Sequence, residues 1–180
     1  MAAAHFAAYT FIEPSLREIP NLAHVMIGAL LFSFGGAGFL GNILAGVLIH
    51  RFTKSIITAG LVALCLALVG LGWFGPQLGT DRVLVLLVIW GAAVAALFAG
   101  LQTWILRAAG STIMTAAAIH SAVINSAIGF GAVLGAQILT VAGVSGVMLA
   151  AGMVVIVPLL IVLPQAVPQT VLKKGSLLDG

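Results

Sequence analysis

The stretch Gly41-Asn42-Ile43-Leu44-Ala45-Gly46-Val47-Leu48-Ile49-His50-Arg51-Phe52-Thr53-Lys54 closes a long apolar run that opens near Leu22. Arg51 and Lys54 stand in a very short link before the next apolar run begins at Ile56. A short basic link between two spanning helices marks the cytoplasmic side of a membrane, so this segment orients the rest of the chain. Ahead of the link, small residues recur at every fourth position on two adjacent stripes, Ala37/Gly41/Ala45 and Gly38/Asn42/Gly46. That spacing lets another helix backbone come close in lipid, where packing holds helices together.

Composition sets the class. The chain is 62% hydrophobic and 6% charged, whereas soluble domains carry about 25% charged residues. An integral membrane protein is expected. Apolar blocks of tens of residues favour helices, since barrel strands alternate and are shorter. The net charge of +3 reflects loop cations: no basic cluster exceeds two residues, the densest being Lys173-Lys174, so nucleic acid is not an expected partner. Cys65 is alone inside an apolar run, and four scattered histidines without clustered acids make no metal site. Neither a metal nor a cofactor is expected.

The link carries a resemblance. Gly46-x-Leu48-x-x-Arg51-x-x-Lys54 resembles the loop signature of the major facilitator superfamily, in the degenerate copy between that family's eighth and ninth helices. His50 stands where the pattern has Asp and Thr53 where it has Gly. Residues 42–46 and Leu101-Gln102-Thr103-Trp104 are similar to the bacterial drug and sugar efflux members, the arabinose-efflux-permease-like group. The likeness covers the chain but only the C-terminal half of a family member. It implies six transmembrane helices forming one half of the family's fold, in a bacterial cytoplasmic (inner) membrane.

The apolar blocks divide into six spans at about 2–16, 22–49, 56–74, 83–105, 113–141 and 144–163, followed by a cytoplasmic tail over 167–180. Pro14 is expected to loosen the first span, Ser111 or Thr112 to cap the fifth, and Pro158 to kink the sixth. With both termini inside, the cytoplasmic links carry Arg51, Lys54, Arg107, Lys173 and Lys174, against Arg17 and Arg82 outside. That asymmetry agrees with the positive-inside rule. The first apolar run is cut at Glu13-Pro14, short of the roughly 20 residues a span needs, which reads as a fragment or a split frame.

Polar residues inside spans are costly and usually face a protein interior or a watery cavity. His5, Tyr9 and Glu13 fall at i, i+4 and i+8 on one helical face. As cavity residues, His5 and Tyr9 would contact solute, with Glu13 or His5 carrying a proton; as a helix-end residue, Glu13 would simply be solvated. His120, Ser121, Asn125 and Ser126 interrupt the fifth span, and His120 and Asn125 are solute ligands or interhelical glue. Gln102 faces the cavity or caps a neighbouring helix, while Trp104 reads as an interfacial anchor. Gly41, together with Gly131 and Gly135 in a second stripe, reads as helix packing. By resemblance, Gly46, His50, Arg51 and Lys54 belong to a cytoplasmic gating loop. A histidine at position 50 is neutral or cationic where the family has a permanent anion.

These readings lead to a secondary transporter half that exports a small organic solute or drug against proton entry. Its partners would be the solute, the lipid bilayer, and a missing N-terminal six-helix half or a second copy. The alternative is a non-transporting six-helix module that only assembles with another membrane protein. Nucleophile-and-base pairs and phosphate loops are lacking in the sequence, which gives no reason to expect an enzyme.

Overall fold

The computed structural model describes residues 1–20 and 22–165, and all of its regular structure is helical. Five α-helices follow one another: α1 Ala2–Thr10, α2 Ile12–Arg17, α3 His24–Phe74, α4 Thr80–Ala109 and α5 Ile113–Val162. Short 3-10 turns at Gly75–Gln77 and Gly110–Thr112 separate the last three. By length and composition, His24–Ile49, Arg51–Gln77 and Thr80–Val162 are apolar enough to cross a membrane. The last of these holds 83 residues, several times what one crossing needs.

The expected helix over 2–16 is interrupted. Phe11 adopts φ −111°, ψ 20°, and its N–H bonds back to the carbonyls of Ala8 and Tyr9. The cause is Pro14. Its ring cannot lie over the carbonyl four residues earlier, that of Thr10, and it offers no N–H to it. α1 therefore ends at Thr10, and the helix restarts at Ile12 with Pro14 in its first turn.

Two further breaks lie inside the long helices. Phe52 leaves helical backbone at φ −127°, ψ 31°, and divides α3 into two arms within the basic link. Gly143, at φ 68° and ψ −176°, divides α5. Pro158 instead sits within α5 without leaving helical dihedrals. The break at Gly143 falls between the expected fifth and sixth spans, in a region of backbone space that only glycine occupies. Gly143→Ala is expected to cost about 1–3 kcal/mol, read as a lower thermal midpoint in detergent, although open space surrounds the missing Cβ. At the start of α5, Thr112 holds the N-cap position, but its hydroxyl donates back to the Ala109 carbonyl at 2.8 Å and leaves the helix uncapped.

Glycines bring the helices together in pairs. In the first arm of α3, a Cβ on Gly41 would lie 2.7 Å from the Ala92 carbonyl oxygen of α4. Gly91 of α4 returns the contact: a Cβ there would run into the Phe34 carbonyl. Gly131 and Gly135 of α5 receive α1: their missing Cβ atoms would lie 2.5 Å from the Ala3 carbonyl and 3.0 Å from that of Ala7. The second arms of α3 and α5 meet through Gly72 against Leu149 and Gly152 against Val69. Around these contacts, Leu61, Leu64, Leu68, Leu87, Trp90, Leu97, Val147, Met148 and Val155 are fully buried. Small residues allow such approach where lipid gives helices no solvophobic reason to associate.

Candidate functional site

α1 brings His5 and Tyr9 to one face, and the break at Phe11 removes Glu13 from that register. His5 is 5% exposed. The Trp90 indole Nε1–H of α4 donates to its Nδ1 at 3.1 Å. Four aromatic rings surround the imidazole: Phe6, Tyr9, Trp90 and Phe98, with centroids 4.9, 5.6, 5.9 and 5.8 Å away. Phe34 of α3 joins the group, 5.6 Å from Tyr9 and 5.3 Å from Trp90. Edge-to-face and tilted pairs at such separations are favourable ring geometries.

This wall faces a half-open cavity of about 440 Å³ lined by Phe6, Tyr9, Thr10, Ile12, Leu31, Phe34 and Ile128. The volume falls within the range that holds a small organic ligand. No charged side chain lines it. Tyr9 is half exposed at its edge, and the Thr10 hydroxyl is engaged with the Phe6 carbonyl at 2.7 Å. The surface suits apolar or aromatic matter rather than a densely charged solute.

The other candidates lie apart. The Glu13 carboxylate forms an ion pair with Arg17 at 2.6 Å, with both side chains about half exposed. Glu13→Gln is expected to change stability by at most about 1 kcal/mol, and a thermal melt at low and high salt would check it. Gln102 is exposed on α4 and His120 half-buried on α5. Asn125 is exposed and donates to the Ser121 carbonyl of its own helix at 2.9 Å, so within this chain it joins no second helix. Trp104 is partly buried against the core.

The basic link has its own geometry. Gly46 is exposed with open space around it, and Arg51 lies over the Phe52 ring at 5.5 Å. The His50 side chain falls outside the described residues, as do Lys173, Lys174 and the tail. Thr53 donates to the Ile49 carbonyl and accepts from Arg107 Nη1 at 3.0 Å, tying the link to the end of α4. Lys54 Nζ donates to the carbonyls of Leu163 and Gln165 at 2.9 and 2.5 Å. Carbonyls at a helix C-terminus lack intrahelical donors, and a cation there satisfies them. Lys54→Met is expected to cost about 1 kcal/mol and to speed amide exchange over the last turn of α5, leaving the aromatic wall unchanged. Uniform exchange across α5 in both chains would contradict this.

Sequence reasoning reached His5 and Tyr9 but missed Trp90, Phe34 and Phe98. Trp90 had a signal: an indole in mid-span has one donor and no acceptor, so it needs a nearby acceptor. Phe34 and Phe98 had none. Among the described residues, no three His, Cys, Asp or Glu side chains gather to hold a metal ion.

A family model described as Major Facilitator Superfamily matches residues 1–177. The chain belongs to the major facilitator superfamily. Members of this superfamily are membrane transporters, and the long apolar helices agree with a multi-pass membrane protein. No solved structure matches the chain.

Proposed function

We propose that this superfamily chain forms the C-terminal half of a secondary transporter that exports a small apolar organic solute in exchange for protons. The observation that carries this reading is a histidine sealed in an aromatic wall beside a cavity without charged lining. An ionisable group so placed in a membrane helix is expensive, and function is the usual reason to keep it.

Six crossings follow if the helical path is cut at Phe52, Gly75–Gln77, Gly110–Thr112 and Gly143, with the short first crossing made of α1 and α2. Both termini then lie in the cytoplasm of a bacterial inner membrane, with Arg51, Lys54 and Arg107 on that side. The solute would sit near mid-membrane between this bundle and a second one, an N-terminal half or another copy, related by an axis along the membrane normal. His5 is the proton carrier, in preference to Glu13, whose carboxylate Arg17 already engages. Tyr9 is solute-facing, and Gln102, His120 and Asn125 contact the solute once the second half covers them. Gly46, His50, Arg51 and Lys54 form the cytoplasmic hinge.

The test uses the native polypeptide, extracted from its own membrane and placed in proteoliposomes. Its intact mass, set against 18.3 kDa for this chain, tells whether a second half is fused to it. An imposed pH gradient should then drive movement of a neutral fluorescent aromatic dye, and His5→Asn should abolish the gradient dependence. Dye movement indifferent to both the gradient and the substitution would replace this reading with a non-transporting membrane module.

A further inference from the structure

Two of the three glycine-packed pairs, α1 with α5 and α3 with α4, meet at the aromatic cluster. Among the described residues, the bond from Trp90 to His5 is the side-chain hydrogen bond that joins α1 to α4. Its direction is fixed by chemistry. Indole nitrogen can only donate, so Nδ1 of His5 must present a lone pair, and the single proton of the neutral ring resides on Nε2. Nδ1 is also the atom that a second proton would occupy.

We propose that Trp90 is the positioning residue of the proton carrier: it holds His5 with Nδ1 unprotonated, and a proton arriving at Nδ1 breaks the contact between α1 and α4. The proposal rests on the proton-coupled reading above and adds the residue through which the proton acts on the fold. A charged imidazole has two N–H donors and no acceptor, so it and the indole N–H would face each other as donors. The bond and the proton therefore exclude one another.

Among the described residues, the ion pair of Arg17 with Glu13 does not involve His5. His5 meets Phe6 and Tyr9 on its own helix and Trp90 and Phe98 on α4, with Tyr9 the single ionisable group among them. Phe34 of α3 touches Tyr9 and Trp90, and α5 receives α1 through Gly131 and Gly135. Glu13 is held by Arg17. Once the bond is broken, α1 remains packed on α5 and α4 on α3, because the glycine contacts are made to backbone and do not depend on the imidazole. α1 and α4 can then part along the aromatic seam beside the cavity, while the second arms of α3 and α5 stay joined through Gly72 and Gly152.

Trp90 reports on its own state. In the full chain in lipid nanodiscs, with Trp73→Phe and Trp104→Phe leaving Trp90 as the sole emitter, acidification should quench and red-shift the emission. Adding His5→Asn should abolish that response while keeping the neutral-pH spectrum, because the asparagine carbonyl accepts from the indole but takes no proton. An acid response that persists with asparagine, or none in the parent, overturns the proposal. Nitrogen spectra of histidine in the otherwise native chain decide independently of whether that variant folds. His5 should show a proton-free Nδ1 at neutral pH, and Trp90→Phe should release it into mixed tautomers. A protonated Nδ1 in the native chain, or an unchanged tautomer in the variant, also overturns it. Neither readout needs solute, so failed dye flux with an intact optical response would count against the export reading alone.

Discussion

Gly91→Ala is expected to destabilise the folded chain by about 3 kcal/mol or more, the largest effect of any single methyl group added here. Added carbon at this position runs into the Phe34 carbonyl oxygen, carbon and α-carbon, all of them backbone. A side chain can rotate away from such an intrusion, but a helix backbone must move as a whole. Moving it also separates Gly41 from Ala92 a few residues along, so one methyl strains two contacts. Gly36→Ala in the same region supplies the opposite sign. Nothing lies within 4 Å of its missing Cβ, and exchanging a mid-helix glycine for alanine gains about 0.5–1 kcal/mol. Thermal unfolding of the two variants in one detergent checks both. If Gly91→Ala melts with the parent, the α3–α4 contact is looser than described.

Trp90→Ala is the second large effect, about 3–5 kcal/mol. Trp90 is fully buried between His5 and Phe34 and is the bulkiest such side chain in the fold. Two contributions can be separated. The hydrogen bond to His5 is worth about 1 kcal/mol, and comparable bonds between membrane helices average near 0.6 kcal/mol. The indole body supplies the remainder through close contacts that a void forfeits. Trp90→Phe should therefore lose only about 1–2 kcal/mol, keeping most of the stability while removing the N–H. Equal melting losses for alanine and phenylalanine would mean that the hydrogen bond, not the packing, dominates.

The sequence disclosed the parts of this fold that rest on short-range chemistry. The apolar blocks, the basic link at Arg51 and Lys54, and the Gly75-Pro76 turn follow from hydropathy and from the backbone habits of glycine and proline. Pro14 was legible as a disturbance, but its effect falls at Thr10 because a proline acts on the carbonyl four residues before it. That offset also explains why His5 and Tyr9 share a site and Glu13 does not. Periodicity assumes an unbroken helix, and this one is broken between the second and third members of the series.

Tertiary pairing was less legible. Gly60, Gly72 and Gly152 each seat a neighbouring helix, yet none has a small residue four positions before or after it to complete a stripe. Which helix fills such a groove depends on the partner's path, and hydropathy does not encode that path. Asn125 shows a related limit. An amide in mid-span needs a partner, but its own helix supplied one in the Ser121 carbonyl.

The pairing of α1 with α5 also sets an order of events during synthesis. α1 leaves the ribosome before either of its partners. Its polar partner Trp90 follows 85 residues after His5, and the glycines that receive its backbone arrive only with residues 131 and 135. By contrast, the α3–α4 contact closes between residues much nearer in sequence, such as Gly41 and Ala92. The central pair can thus assemble while α1, a short polar-bearing segment, still waits for its partners within this bundle. Holding α1 in the membrane through that interval is thus a separate demand on the chain, distinct from packing in the finished bundle.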